Sequence, residues 1–346
     1  MNDKTKVIFE NSDIQIGFHI AKSKSKVKPL FKSFETQKDN PLRSYQIYIA
    51  NARSSAAAKI DTDDILEARK ILKRYDKYAC IHGKLTYNLA GSVDGTSDTA
   101  FKGKLESHRK NLINELDVGT GFGAGVVVHI GSCKDKDLGI NTIAKSIDVA
   151  LSRVTEDTKK IAKAQGISVE EFVGQRKLIL ENAAGEGNKI GSTLDEISKI
   201  IKKVDEKYLP QVKVCIDTAH IFGAGQYDFG NEKQVVKFFK DFDKKIGVDK
   251  LELFHLNDSR VPWKSKKDRH ENLGLGYIFG ERESSEDDDL LLGMKGLKKL
   301  IDEAEKRKIP LIGEPPQRTI DGYDAPGGIW DYAVINEICD LEFVCE

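Results

Sequence analysis

Short apolar runs alternate with charged stretches along nearly the whole of this 346-residue chain, and this alternation most constrains its fold. The runs have the length of strands, and the stretches between them carry apolar residues every three or four positions, as helices do. Eight strands that alternate with helices predict a parallel (β/α)8 TIM barrel. The eight runs are Ile14–Ile20, Tyr45–Ile49, Ala79–His82, Gly125–His129, Lys177–Glu181, Val212–Asp217, Leu251–His255 and Ile309–Glu314.

The intervening stretches predict helices at 61–75, 142–163, 193–207, 232–245 and 296–308. Thr193 and Glu196 have the spacing of a capping box at the start of one of them. No proline-rich or glycine/serine-rich linker divides the chain, so we expect a single barrel domain over residues 14–346. Residues 1–13 form a short charged segment that we expect to fray.

Composition excludes several other classes of protein. Hydrophobic residues make up 39% of the chain and charged residues 32%, which is typical of a globular protein with a sizeable core. No apolar run is long enough to cross a bilayer, and the N-terminus lacks an apolar signal core. The five cysteines are odd in number and have no paired spacing, which favours reduced thiols and an intracellular location, cytoplasmic or nuclear.

The predicted strands end in residues that can bind metal ions. In a barrel of this kind the active site lies at the carboxyl ends of the strands. A single histidine at a strand end is more often a satisfied polar group than a ligand, but six consecutive strand ends that share this property indicate a metal centre. The ends of the third to eighth strands are His82, His129, Glu181, Asp217, His255 and Glu314.

Further ligand types follow two of these strands. His220 lies three residues after Asp217, and Asp268 and His270 follow the strand that ends at His255. An Asp-x-His sequence places its carboxylate and imidazole on the same side of an extended backbone. Of the seven histidines in the chain, five lie in these clusters.

Three of these segments resemble the signatures of the endonuclease IV family, the apurinic/apyrimidinic (AP) endonucleases built on a xylose-isomerase-like TIM barrel. The order and spacing of the segments are also similar, and the resemblance covers about 14–314, nearly the whole chain. The segments are Glu181–Gly187, Cys215–Phe222, and His255–Ser259 together with Asp268–Gly274.

The resemblance implies three zinc ions, with manganese possible at part of the site. His82, His129 and Glu181 would bind the first ion. Glu181 would bridge to the second, which would also be bound by Asp217, His255 and Glu314. His220, Asp268 and His270 would bind the third. His19 is then expected to face the site or the core, and His108 the surface.

The resemblance also implies a reaction and a substrate. The reaction is hydrolysis of the DNA phosphodiester 5′ to an abasic site in base excision repair, leaving a 3′-hydroxyl and a 5′-deoxyribose phosphate, with Glu181 orienting the attacking hydroxide. Double-stranded DNA is the expected partner and the expected protein is a monomer. A net charge of zero does not exclude DNA, because bound dications would offset four ligand carboxylates.

Loop residues are expected to contact the DNA. The resemblance places Arg53 where the family inserts an arginine into the duplex, and it suggests Asn88 as a further contact. Many relatives have an aromatic residue three positions after the residue that corresponds to His82, whereas this chain has Leu85, with Tyr87 two positions later. Either side chain could fill the gap.

Two polar insertions, 91–104 and the acidic stretch 281–289, stand outside the pattern. We expect the acidic stretch either to point away from DNA or to be mobile, because like charges repel. The alternative function is a metal-dependent sugar isomerase or epimerase on the same barrel. The loop after the second strand that contains Asn51–Arg53, called the Arg53 loop below, and the Asp268–His270 segment favour the nuclease.

Overall fold

The computed structural model describes most of the chain: residues 14–20, 30–40, 42–54, 56–91, 99–280, 292–316, 319–320, 323–326, 331, 334–335 and 338. The N-terminal segment 1–13, residues 92–98 of the first insertion and the acidic stretch 281–289 lie outside the described residues.

Eight parallel strands close into a barrel. They are Ile16–Ile20 (β1), Ser44–Ile47 (β2), Tyr78–His82 (β3), Gly125–His129 (β4), Leu178–Glu181 (β5), Val212–Asp217 (β6), Leu251–His255 (β7) and Leu311–Gly313 (β10). Their spatial order is β1-β10-β7-β6-β5-β4-β3-β2. This arrangement confirms the predicted (β/α)8 fold, and the bounds predicted for β4, β6 and β7 agree with the structure. Two antiparallel pairs lie outside the barrel: Asp258–Ser259 (β8) with His270–Glu271 (β9), and Thr319–Ile320 (β11) with Tyr323–Pro326 (β12).

Helices connect the barrel strands. Among the described helices, none combines the length and the apolar character needed to cross a membrane. The helices α1 to α10 are Leu30–Glu35, Thr62–Arg74, Thr99–Phe122, Lys136–Ser152, Glu156–Gln165, Val169–Gly174, Leu194–Ile201, Thr218–Gly223, Glu232–Lys245 and Leu292–Lys306. Short 3-10 helices cover Glu206–Gln211 and Val248–Lys250.

One predicted helix is wrong. The stretch 142–163 forms parts of two helices, α4 and α5, separated at 153–155. Asp135 starts α4 earlier than expected, because its side chain accepts a hydrogen bond from the Leu138 amide. Thr155 starts α5 through a capping box with Thr158. Apolar periodicity continues across the break, so only the capping residues mark it.

The Thr193 cap is present in part. Its side chain accepts a hydrogen bond from the Glu196 amide at 3.1 Å, as predicted. The Glu196 carboxylate accepts instead from the amides of Gly191 and Ser192, one or two residues before the cap. The acidic side chain therefore ties the preceding turn to the helix.

The barrel interior determines where the strand-end side chains point. A cluster of six buried side chains lies inside the barrel, and six of the eight strands each supply one of them. Each of the six strand-end ligand types follows its inner-layer residue by two positions. Because side chains alternate with period two along a strand, all six must point into the barrel. The inner layer consists of Cys80, Val127, Ile179, Cys215, Leu253 and Ile312.

Candidate metal centre

The strand-end residues converge at the carboxyl end of the barrel into three groups, each of which could hold a metal ion. Within a group, the ligand atoms all lie within 4.8 Å of one another. The groups share Glu181 and Asp217, so they form one continuous centre. The first group is His82, His129 and Glu181, the second is Glu181, Asp217, His255 and Glu314, and the third is Asp217, His220 and His270.

The Glu181 carboxylate lies between the first two groups. Its Oε2 is 3.6 Å from His82 Nε2 and 3.6 Å from His129 Nδ1. Its Oε1 is 3.0 Å from His255 Nδ1. Each oxygen therefore faces a different group of imidazoles, which is the geometry that a carboxylate needs to bridge two cations.

The Asp268 carboxylate lies beside the third group, within reach of both of its imidazoles. Asp268 Oδ2 is 3.2 Å from His220 Nε2, and its Oδ1 is 3.3 Å from His270 Nε2. His270 Nε2 also lies 3.4 Å from Asp217 Oδ2. The structure thus brings together every residue that the sequence suggested as a metal ligand, and it adds Asp217 as a carboxylate shared by the second and third groups.

Unpaired ligand atoms show that the centre fits metal ions. Glu181 Oε2, His220 Nε2 and His270 Nε2 are buried and make no hydrogen bond within the described part of the chain. Buried polar atoms are normally paired, since an unpaired one costs about 1–3 kcal/mol. These three atoms point into the centre, where cations would satisfy them. The imidazole and carboxylate donors suit Zn²⁺ and other borderline divalent metals.

The charges at the centre are strongly coupled. Burial opposes the charged form of His220, but the carboxylates of Asp217 and Asp268 raise its pKa to about 10. Burial also opposes the charged form of His270, but Asp217 and Asp268 raise its pKa to about 9. Burial would raise the pKa of Glu181, yet the neighbouring His129 and His255 hold it well below its usual value. The carboxylates therefore stabilise positive charge at the centre, which either protonated imidazoles or divalent cations can provide.

Gln46 holds two of the ligands in place, and sequence reasoning missed it. Its Oε1 lies 2.8 Å from His255 Nε2, and its Nε2 donates to Glu314 Oε1 at 2.7 Å. With Nε2 of the imidazole engaged in this way, Nδ1 is left as the metal-binding atom. The available signal was a glutamine between Tyr45 and Ile47 in a fully buried strand, β2.

Two asparagines position the second and third groups. Asn182 accepts a hydrogen bond from the Asp217 amide at 2.6 Å, and its carbonyl oxygen lies 2.9 Å from His220 Nδ1. Asn257 donates to Asp217 Oδ2 at 2.7 Å and accepts from the Glu314 amide at 2.9 Å. The Asn182 contact with His220 is made by its backbone carbonyl, whereas the Asn257 side chain links the ends of β6 and β10. The ligands are therefore held by hydrogen bonds as well as by the barrel.

His19 faces the site, as expected. Its Nδ1 lies 3.2 Å from Gln46 Nε2 and 3.8 Å from Glu314 Oε1. Burial lowers the pKa of His19 to about 4. The expectation for His108 was wrong: it is half-buried, and its Nδ1 accepts a hydrogen bond from the Asn88 amide at 3.2 Å.

The Arg53 loop and the loop after β3 lie side by side next to the metal centre. Arg53 is exposed, and its amide donates to the side chain of Asn51 at 2.9 Å. The Leu85 amide donates to the Ala52 carbonyl at 3.1 Å, so the two loops are hydrogen-bonded to each other. The Leu85 side chain is 42% exposed.

Tyr87 and Asn88, which the sequence suggested as DNA contacts, are engaged within the protein. Tyr87 is only 4% exposed, and its hydroxyl donates to Glu115 Oε2 at 2.7 Å. Its ring therefore cannot enter a duplex as the loop stands, which corrects that expectation in favour of Leu85. The Asn88 side chain donates to the carbonyls of Gly91 and Ser132 and accepts from the Ser132 amide, so it ties two loops together.

Comparisons with known proteins bear on the family and the fold of the chain. Residues 38–286 match a family model described as a xylose isomerase-like TIM barrel. A Clostridium botulinum protein named "Probable endonuclease 4" is 30% identical over 322 residues, which cover 90% of this chain and 95% of that protein. "Apurinic-apyrimidinic endonuclease 1" of Schizosaccharomyces pombe is 28% identical over 273 residues, covering 78% of this chain and 67% of that protein.

A solved structure shares the whole fold. The crystal structure of endonuclease IV from Thermus thermophilus matches with a TM-score of 0.68 at 21% sequence identity, covering 94% of this chain and 99% of that one. On the family match and the similarity to the curated relatives, the chain belongs to the endonuclease IV family of xylose isomerase-like TIM barrels.

Proposed function

We propose that this protein is a zinc-dependent AP endonuclease that hydrolyses the DNA phosphodiester 5′ to an abasic site in base excision repair. The products are a 3′-hydroxyl and a 5′-deoxyribose phosphate. The observation that carries the proposal is the sharing of Glu181 and Asp217 among three ligand groups. A chain of adjacent cation sites suits in-line displacement at a phosphate, in which attacking and leaving oxygens both need stabilisation.

The donors favour zinc in all three groups, with manganese as an alternative occupant of the more carboxylate-rich second group. When bound, such ions lower the pKa of water, bind phosphate oxygens and stabilise the charge of a leaving oxygen. His82 and His129 would hold an ion on one side of Glu181. His255 and Glu314 would hold another on the opposite side, with Asp217. His220, Asp268 and His270 would hold the third.

Glu181 is the proposed catalytic residue. It is buried at the junction of the first two groups, and neighbouring imidazoles keep its pKa low, so the carboxylate is ionised at neutral pH. An ionised carboxylate at that point can accept a hydrogen bond from the attacking water and orient it towards the phosphorus. Gln46 and Asn257 would keep the surrounding ligands from rotating, so the charged groups around the attacking water would stay in fixed positions.

Substrate selection would depend on the loops beside the centre. Abasic DNA is the cheapest duplex to open, because no base has to be unstacked. Arg53 and Leu85 are exposed on two adjoining loops, one with a planar cation and one with an apolar side chain, as a duplex gap requires. Exposed cations flank the third group and offer contacts to phosphates. These cations are Lys264, Lys266, Lys267 and Arg269.

An incision assay tests the proposal directly. Purified protein, which we expect to be a monomer, is incubated with a duplex that carries one tetrahydrofuran abasic analogue, and with the same duplex intact. We expect a single cut 5′ to the analogue and no cut in the intact duplex. The analogue cannot undergo β-elimination, so a lyase would leave it uncut. Turnover of a ketose or aldose without DNA incision would instead favour a sugar isomerase or epimerase.

Metal analysis tests the cofactor. We expect about three zinc ions per chain, since the donors form three groups. His270→Ala should lower the content by about one ion, because His270 belongs only to the third group. Elemental analysis of both proteins gives the numbers. A content of one ion that His270→Ala does not change would contradict the assignment of the third group.

A further inference from the structure

Lys84 is a buried lysine between the metal centre and the Arg53 loop. It lies two residues after His82 and is only 2% exposed. Its Nζ donates a hydrogen bond to the Ser54 carbonyl at 2.9 Å and another to the Ala56 carbonyl. Within the described part of the chain its ammonium forms no ion pair, so backbone carbonyls of the Arg53 loop are its partners.

An ammonium group in this position is costly. Burial lowers the pKa of Lys84, and the charge of the buried Glu115 carboxylate offsets this only in part, since no ion pair joins the two side chains. Burying a charge outside an ion pair is unfavourable unless hydrogen bonds compensate, and an apolar residue of similar length would avoid that cost. All the described hydrogen bonds of Lys84 Nζ go to one loop. Its charge therefore serves to hold that loop.

The contacts enclose Arg53 from both sides. The Leu85 amide donates to the carbonyl of Ala52, the residue before Arg53. Lys84 Nζ donates to the carbonyl of Ser54, the residue after it. Two consecutive residues after β3 thus fix the backbone on either side of Arg53. The remaining described bonds of this turn are internal to the loop: the amides of Arg53 and Ser54 donate to Asn51, and the Ala56 amide donates to the Ser54 hydroxyl.

We propose that Lys84 is a positioning residue that orders the Arg53 loop before DNA binds, and that it thereby sets the preference for abasic over intact duplex. The second part rests on the proposed function. A loop ordered in advance loses less conformational entropy on binding, so its side chain contacts the gap more effectively. Because Lys84 follows the ligand His82 so closely, the same segment places both the metal centre and the residue that reads the gap.

The test uses Lys84→Met, which keeps the length of the side chain and removes the charge. The matched control is Lys59→Met, which removes the same charge from an exposed site just after the loop. Amide hydrogen exchange of peptides that cover residues 51–56 is measured without DNA, and binding to abasic and intact duplexes is measured for each variant. We expect faster exchange in Lys84→Met only. The abasic-to-intact binding ratio should fall at least about threefold, with unchanged metal content.

A double-mutant cycle connects Lys84 to Arg53. Arg53→Ala should lower the abasic-to-intact binding ratio less in the Lys84→Met background than in the wild type. Lys84→Arg, which keeps the charge, should have a higher ratio than Lys84→Met. The proposal is overturned if Lys84→Met has the same exchange rate and the same binding ratio as Lys59→Met. It is also overturned if the effects of Lys84→Met and Arg53→Ala on the binding ratio are fully additive. If Lys84→Met does not fold, Lys84→Gln is measured in the same assays.

The exchange measurement separates the two hypotheses. A wild-type protein that does not cut the abasic duplex refutes the proposed function, whereas exchange at 51–56 still reports whether Lys84 orders the loop. Unchanged exchange in an active enzyme refutes the positioning role alone.

Discussion

The candidate metal centre and the neighbouring loops that we propose to contact DNA were both expected from the sequence, but they differ in how well side-chain placement could be anticipated. All nine proposed metal ligands converge at one end of the barrel. Of the three proposed DNA contacts, Arg53 is exposed, Tyr87 is buried and Asn88 is bonded to other loops. Strand-end side chains have their direction set by backbone alternation, whereas loop side chains take the direction that local packing leaves to them.

The metal centre and the loops also differ in the free energy that is lost when one of their side chains is removed. The proposed ligands are buried or half-buried polar groups held by neighbouring charges and amides, so removing one leaves its partners unpaired. Arg53 and Leu85 are exposed side chains whose loss leaves no buried group unsatisfied. We therefore expect changes at the centre to act on turnover by orders of magnitude and changes at the loops to act on binding by smaller factors.

The largest effect is expected for Glu181→Gln. The substitution keeps the shape but removes the charge that faces both imidazole groups and orients water. Incision should fall by several orders of magnitude, roughly 10³-fold or more, while binding to abasic DNA is partly retained. Single-turnover incision and a gel-shift titration measure the two quantities. Near-normal turnover would contradict the role of Glu181.

Gln46→Leu should have the next largest effect, on metal affinity. It removes the acceptor at His255 Nε2 and the donor to Glu314 Oε1. Loss of such a supporting residue typically weakens metal binding by about 10–100-fold. A chelator titration that follows the metal retained by the protein measures the change.

The control for Gln46 is Cys80→Ala, which removes only the thiol that lies 3.4 Å from Gln46 Oε1 and leaves both ligand contacts in place. It should retain metal much as the wild type does. Equal retention in Gln46→Leu would show that the barrel alone positions His255 and Glu314.

Arg53→Ala should leave metal content and fold intact while weakening abasic-duplex binding by roughly 1–3 kcal/mol, the scale of a lost stacking contact. Leu85→Ala, on the adjoining loop, should have a smaller effect of the same kind. Binding to abasic and intact duplexes is measured for each variant. If Arg53→Ala weakens both duplexes equally, Arg53 is only an electrostatic contact, and another residue must recognise the gap.

Tyr87→Phe should have the smallest effect on DNA. It removes the hydroxyl that donates to the buried Glu115, so unfolding should become easier by about 1–2 kcal/mol. Abasic-duplex binding should stay within about twofold of the wild type, because the ring is not exposed. Urea unfolding and duplex binding give the two values. A loss of binding as large as that of Arg53→Ala would restore Tyr87 as a DNA contact.

Several elements show why the loop prediction was weaker than the strand prediction. Asp217 and His255 stand in register on paired strands, so their proximity follows from parallel pairing and strand ends alone. The break between α4 and α5 is marked in the sequence by the capping residue Thr155, yet apolar periodicity hides it. The burial of Tyr87 depends on Glu115, a residue on another element 28 positions away.

The sequence by itself determined the barrel and the end at which the site lies, and it predicted the strand-end residues that converge there. It could do so because strand alternation and parallel order are local and repetitive properties. Only the tertiary structure decided how those ligands are held and which loop residues stay exposed. Gln46 reaches His255 across 209 positions of sequence, and Lys84 reaches Ser54 across 30. Such contacts depend on how distant segments pack, and no periodic pattern encodes them.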